Sequence, residues 1–334
     1  MNEACNLTCP VCFAGSSTAA TAHRPLAVIE GMMDALVASE GEPDLVQISG
    51  GEPTIHPRIL DVLRLARGKP IKHLMLNTNG VRLAREPDFV AALAEFKPGF
   101  EVYLQFDSLR PSVLRDLRGA DLTRIRRKAL EALEKAGIST TLVVVVKAGQ
   151  NDDELGEIID FALSWKCVRG ITFQPIQDAG RNEGFAPDRH RVVLSDIRRR
   201  IIEAGTAFGA GDIIPLPCNP ESIAIGYALR NGGKIAPITS FFPREMLVEA
   251  LPNAITFEKY PELHAQVLNF FGWCFGSVEQ SMSRERELLA DRHAAQLTSP
   301  AAAARALVRL HVFLEAFKLA VEGDGPGARP EDPF

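Results

Sequence analysis

Between residues 44 and 177, short apolar runs alternate with stretches whose apolar residues recur every three or four positions. The runs are 44–49 (DLVQIS), 71–77 (IKHLMLN), 100–106 (FEVYLQF), 140–147 (TTLVVVVK) and 170–175 (GITFQP). Each has the length and the β-branched or apolar content of a strand. Between them, residues 57–66 place Ile59, Leu60 and Leu63 on one helical face before Gly68, and residues 123–136 do the same with Ile125, Ala129 and Leu133 before Gly137. Asn151 or Asp152 is placed to cap a further helix carrying Leu155, Ile158, Ile159 and Ala162, and residues 26–37 predict an earlier one. This alternation predicts an α/β fold with a parallel sheet or barrel, whose working residues stand at the carboxyl ends of the strands. The unbroken run of Val143, Val144, Val145 and Val146 suits a strand buried on both faces.

The rhythm stops near residue 183. Residues 183–322 read as a mainly helical cover and substrate region, with helices at 195–207 and from 300 to about 321. The Gly-, Pro- and Asp-rich stretch 323–334 reads as a disordered tail. Residues 1–182 then form the core domain. The apolar-looking stretch 301–321 is broken by Arg305, Arg309, His311, Glu315 and Lys318, which excludes a membrane span. A formal net charge of -5 gives no electrostatic reason to expect nucleic acid. The basic runs 124–128 and 198–200 fall on predicted helices and read as solvated faces.

Cysteine changes the picture. Of six, Cys5, Cys9 and Cys12 fall together as C-x3-C-x2-C, and Cys167, Cys218 and Cys274 are scattered. Thiols this close cannot readily bridge one another, so a disulfide scaffold is not expected; clustered reduced thiols point to an inorganic centre in a reducing cytosol. Thiolates are soft ligands for iron-sulfur clusters, zinc or copper(I). Three of them on a four-iron cluster leave one iron open to a small chelating ligand. A zinc site completed by a distant Cys or His is the alternative. The segment Ser49-Gly50-Gly51-Glu52-Pro53 stands where the first strand ends. Its glycines let the backbone approach a ligand closely, and a carboxylate there can meet an ammonium group.

Together, C-x3-C-x2-C and SGGEP resemble the radical S-adenosylmethionine (radical SAM) superfamily. The resemblance implies a partial (β/α)6 barrel, a [4Fe-4S] cluster on Cys5, Cys9 and Cys12, and S-adenosylmethionine (SAM) received by Ser49, Gly50, Gly51, Glu52 and Pro53. It also implies cofactor contacts from Asn77 in NTNG, from Gln105 and Asp107 in YLQFDS, and from Gln174; Lys147 and the Arg118-Gly119 turn hold comparable strand-end or turn positions. The implied activity is reductive cleavage of SAM to a 5'-deoxyadenosyl radical that abstracts hydrogen from a substrate. CNLTCPVCF, with Val11 where most members carry an aromatic residue and Phe13 after the third cysteine, together with TFQPIQDAGR, resembles the branch of tetraether lipid synthases and the hydroxymethylpterin methyltransferase. That branch implies carbon-carbon bond formation or methylation at an unactivated carbon, a small-molecule or lipid substrate, an electron donor such as flavodoxin or ferredoxin, and a cytoplasmic setting.

Other readings stay open: a non-catalytic metal-stabilised α/β module, or a fold that binds SAM or a partner without turnover. Cys218 and Cys274 are candidates for an auxiliary cluster, Cys167 for packing. Phe241-Phe242 and Phe270-Phe271-Gly272-Trp273 are candidates for an apolar cavity wall or core packing. His56 and His73 read as structural. Five strands are legible where the family's barrel has six, and only four residues precede Cys5, so the first strand is expected to be missing. An unpaired parallel edge is destabilising. The chain is therefore expected to hold its cluster poorly, and iron and sulfide analysis after anaerobic reconstitution, showing full [4Fe-4S] loading, would count against that expectation.

Overall fold

The computed structural model describes residues 3–216, 219–231, 234–240 and 244–250. All of them fall in one compact unit, Met1–Tyr260. The chain opens with a short strand, β1 (Val11–Cys12), and helix α1 (Leu26–Glu40). The predicted alternation follows: β2 (Leu45–Ile48), α2 (Ile59–Arg67), β3 (His73–Thr78), α3 (Val81–Arg85), α4 (Pro87–Leu93), β4 (Phe100–Gln105), α5 (Pro111–Arg118), α6 (Thr123–Ala136), β5 (Ser139–Val146), α7 (Leu155–Leu163) and β6 (Val168–Pro175). Strands β2 to β6 form one sheet, parallel throughout and in sequence order. Among the described residues the sheet has five strands, as the sequence predicts, and β2 lies at its edge with Leu45 exposed.

Alternation along the strands sorts their side chains between the helix-covered face and the barrel lumen. Leu74, Leu76, Val102, Leu104, Leu142, Val144 and Val146 are fully buried in the main core, with Leu63 of α2, Leu93 of α4, Leu130 and Leu133 of α6 and Ile158 of α7. The lumen side is more polar. His73 Nε2 lies 3.2 Å from Glu101 Oε2, both side chains buried, and Gln174 Nε2 donates to the Tyr103 hydroxyl at 3.2 Å. His56, also buried, bonds the Arg24 carbonyl and the Arg58 N–H. Both histidines thus have structural partners, as the sequence reading expected.

Several local readings change. The short helices α3, α4 and α5 lack a long apolar period and were not legible. Asn151 and Asp152 do not cap α7: their carboxamide and carboxylate oxygens accept the backbone N–H of Lys147 and Gly149, organising the turn after β5. Arg126 contradicts the solvated-face reading of 124–128. It sits three, four and seven residues before Ala129, Leu130 and Leu133, on the buried face of α6, and is 1% exposed.

In the described part of the C-terminal region, helices α8 (Pro187–His190), α9 (Leu194–Glu203) and α10 (Arg244–Ala250) share the chain with strands. Strand β7 (Arg181–Asn182) pairs with β1; β8 (Ile214–Pro215) pairs with β9 (Ala224–Ile225), and β10 (Ala228–Asn231) with β11 (Lys234–Pro237), all antiparallel. These small pairs were not predicted. Val192, Ile197, Ile201 and Ile213 join the main core, so this stretch packs on the barrel. Cys218, Cys274, Phe241, Phe242, the 270–273 cluster, the 300–321 helix and the 323–334 tail lie outside the described residues.

Leu104 on β4 has no exposed surface, and one of its methyl groups stands where a Cβ on Gly80 would fall. Leu104→Ala is expected to lower stability by about 2–5 kcal/mol, read as a lower urea midpoint at unchanged slope.

Candidate functional site

The cysteine loop runs across the carboxyl ends of the central strands, where three sets of contacts seat it. At its start, the Cys5 N–H donates to the Ser17 carbonyl at 3.2 Å, and the Glu52 N–H donates to the Ala4 carbonyl at 2.9 Å. A Cβ on Gly51 would overlap that Ala4 carbonyl, so this position has room only for glycine. In its middle, Val11 and Cys12 pair with Asn182 and Arg181, and the Arg181 guanidinium donates to the Cys9 and Ser16 carbonyls at 2.6 Å each. On the opposite side, Arg118 donates to the Val11 carbonyl at 3.1 Å and Gly119, in a left-handed turn, faces Thr8 and Pro10. The loop therefore has seats on the turn after β2, on β7 and at the end of α5 that its sequence did not reveal.

The glycine loop is locked in turn. The Glu52 carboxylate accepts from the Thr54 N–H at 3.0 Å, the Thr78 hydroxyl at 2.7 Å and the Asn79 N–H at 2.8 Å, as well as from the Thr54 hydroxyl. Glu52 is 1% exposed, and burial pushes its carboxyl above the ordinary value despite these donors. The sequence reading offered this carboxylate to an ammonium; the structure commits it to joining the SGGEP loop to the NTNG turn. Asn79 completes the join by donating to Asn6 at 2.7 Å.

A polar chain links the strand ends. Asn77 donates to Ser49 Oγ at 3.3 Å, Gln105 donates to Asn77 Oδ1 at 3.0 Å, and Arg118 donates to Gln105 Oε1 at 3.3 Å. It ends at Asp107, whose two oxygens meet Arg118 at 2.7 Å each and whose Oδ2 also meets Arg126 at 2.9 Å. Asp107 has no exposed surface and adopts φ 64, the only left-handed non-glycine residue among the described ones. Burial pushes its carboxyl up, but the two guanidiniums outweigh that and hold it below the ordinary carboxylate range. Asp107 is thus a buried ion-pair centre and not a cavity group, contrary to the ligand-contact expectation. Burial lowers Arg126 to about 10.

These elements surround one cavity of about 1370 Å³. Cys5, Cys9 and Cys12 line it together with Gly50, Gly51 and Glu52, with Asn77 and Gln105, and with Gln174 across from them. Ser49, Pro53 and Asp107 stand behind the wall: Ser49 under Asn77, and Pro53 buried at the start of the short 3-10 turn Pro53–Ile55. Lys147 is buried away from it. Burial pushes the Cys5 thiol up to about 11 and raises Cys9, the latter opposed by Arg118. Among the described residues no group of three His, Cys, Asp or Glu side chains converges on one metal ion. Three free thiols lining one cavity are the soft donor set that an iron-sulfur cluster takes, so the residues present fit it. Cys167 is buried in the main core, its backbone N–H held by Glu134 at 2.6 Å, in keeping with packing.

Residues 1–162 match the family model described as the Radical SAM superfamily, so the chain carries a radical SAM domain; enzymes of that superfamily use a [4Fe-4S] cluster and SAM. Among its relatives is the 7,8-dihydro-6-hydroxymethylpterin dimethyltransferase of Methanocaldococcus jannaschii, 33% identical over 75% of this chain and 54% of that protein. Another is the GTP 3',8-cyclase of Alkaliphilus oremlandii, 28% identical over 72% of this chain and 73% of that protein. The chain thus spans about half the length of the first relative. Among solved structures, Streptococcus suis SuiB bound to S-adenosylmethionine aligns with a TM-score of 0.48 at 22% identity, covering 60% of this chain and 44% of that one.

Two outcomes test the site. Gly51→Ala forces the glycine loop and Ala4 apart, an overpacking that costs about 1–3 kcal/mol; iron bound per chain after reconstitution should fall, with the circular dichroism of the barrel retained. Asp107→Asn leaves two buried guanidiniums without their carboxylate and should cost about 3–5 kcal/mol at neutral pH. Because the native carboxyl is held below its unfolded value of about 3.9, that stability is present above this pH and lost as pH falls through the native value. The gap between wild type and Asp107→Asn in urea titrations should therefore close as the pH is taken below about 4; a gap independent of pH would count against the ion pair.

Proposed function

We propose that the chain is a radical SAM enzyme that holds a [4Fe-4S] cluster on Cys5, Cys9 and Cys12 and takes a hydrogen atom from a carbon of its substrate. The observation that carries this is the single cavity on which the three thiols, the Gly50-Gly51 backbone and the amides of Asn77, Gln105 and Gln174 all open. When bound, the cluster supplies an electron and SAM the 5'-deoxyadenosyl group from which the hydrogen-abstracting radical derives. The chain's own part is positioning and exclusion of water. Gly50 and Gly51, whose backbone lines the cavity, would hold the methionine end of SAM. Gln105 orients Asn77, and Arg118 orients Gln105, so the strand-end amides meet a ligand in fixed directions. Gln174, oriented by its bond to Tyr103, faces the site from β6. Ile197, Ile201, Phe208, Ile213 and Leu216 line the far part of the cavity, and such a wall shelters a reactive intermediate and suits an apolar part of the substrate.

The dimethyltransferase similarity supports methylation or carbon-carbon bond formation at an unactivated carbon of a small molecule or lipid. The electron then comes from a donor of the flavodoxin or ferredoxin class, in the cytoplasm; no described helix is long and apolar enough to cross a membrane. Anaerobic reconstitution with iron and sulfide, then SAM and dithionite, should yield 5'-deoxyadenosine, and Cys9→Ala should abolish it. Stoichiometric zinc without sulfide would overturn the proposal, and SAM binding without cleavage would leave a binding protein in its place.

A further inference from the structure

Arg118 makes contacts that a turn residue does not need. Its guanidinium is 11% exposed and donates to three partners on two segments, the Asp107 carboxylate and Gln105 Oε1 at the end of β4 and the Val11 carbonyl in the cysteine loop, and it lines the same cavity as Cys9. The next residue, Gly119, lets the end of α5 approach Thr8 and Pro10, which brings the guanidinium onto the loop from the side opposite Arg181. Arg118 and Arg126 share the single carboxylate of Asp107, so this buried group of three carries one uncompensated positive charge. The Cys5 side of the cavity faces the buried Glu52 instead. The three cysteines therefore sit in an electrically uneven site: the Leu7 N–H donates to Cys5 Sγ at 3.4 Å, and the guanidinium charge of Arg118 lies on the Cys9 side of the cavity.

A cluster gains one negative charge when it takes up one electron. Hydrogen bonds to its sulfurs and positive charge nearby stabilise the reduced form and raise its potential. Burial strengthens both effects, because little water screens them. We infer that Arg118 is a positioning residue for the cluster, donating to the Cys9 sulfur, fixing the cysteine loop through the Val11 carbonyl, and raising the reduction potential of the centre. This rests on the cluster assignment under Proposed function. It also gives the buried Asp107 its purpose at the site: the carboxylate holds the fork of Arg118 at the angle from which it reaches the cysteine loop.

The test uses the reconstituted full chain without SAM. Midpoint potentials are read by electron paramagnetic resonance during dithionite titration of wild type, Arg118→Lys and Arg118→Gln, with urea midpoints as a check on folding. In Arg118→Gln the one-electron equilibrium should shift about tenfold toward the oxidised cluster, about 59 mV lower. Arg118→Lys keeps the charge without the planar fork and should fall between. In wild type labelled with 15N-arginine, the reduced cluster should show a nitrogen coupling that Arg118→Lys lacks. Unchanged potentials in loaded variants would overturn the inference, as would a loaded wild type without that coupling, which decides the matter even if neither variant retains iron. A wild type that binds no cluster at all would overturn the proposed function and this inference with it, so the two failures are told apart.

Discussion

A carboxylate taken fully out of water stays ionised only if cations and hydrogen-bond donors replace its hydration shell. Asp107 meets that condition with Arg118 and Arg126, and the Val145 N–H adds a donor at 3.2 Å. Each partner belongs to a different part of the molecule: Arg118 ends α5, Arg126 begins the buried face of α6, and Val145 is on the neighbouring strand. Asn151 joins from the next turn, donating to the Asp107 and Val145 carbonyls at 2.9 and 2.8 Å. The charge balance of one side chain thus fixes the relative positions of two helices and two strand ends, and through Arg118 it extends to the cysteine loop. Surface pairs such as Arg58–Asp61 have no comparable reach, since both partners remain solvated.

The site follows from this arrangement. Parallel strands in sequence order bring the carboxyl ends of β2, β3, β4 and β6 and the turns that follow to the same end of the sheet, and these carry the glycines and amides that line the cavity. The Glu52 carboxylate ties the first two turns together, and the Gln105–Asn77–Ser49 bonds tie the second, third and first. Preorganisation of this kind lets a ligand meet fixed dipoles without paying to order them, which matters more for radical chemistry than an acid or a base does.

The barrel was legible because its signal is periodic. Five apolar runs and four amphipathic stretches map onto β2 to β6 and onto α1, α2, α6 and α7 with small shifts at their ends. The cysteine and glycine loops were legible because few other chemistries require their composition. The parts not legible depend on contacts distant in sequence. Arg181 reaches Cys9 across 172 residues and Arg118 reaches Val11 across 107, and nothing local marks either. Glu52 and Asp107 show a related limit: sequence placed them at the site, but only packing shows that their charges face inward. Arg126 was readable in principle, since its spacing from Ala129, Leu130 and Leu133 puts it on the apolar stripe, yet its place in a basic run suggested solvent.

The left-handed backbone at Asp107 narrows what position 107 accepts. For most side chains that conformation costs about 1–2 kcal/mol, and glycine, asparagine and aspartate adopt it most readily. Of these three, only aspartate carries the charge that two buried arginines demand. Backbone shape and electrostatics thus intersect on a single amino acid. A substitution at this position therefore gives up the turn, the ion pairs or both, whatever chemistry the cavity carries.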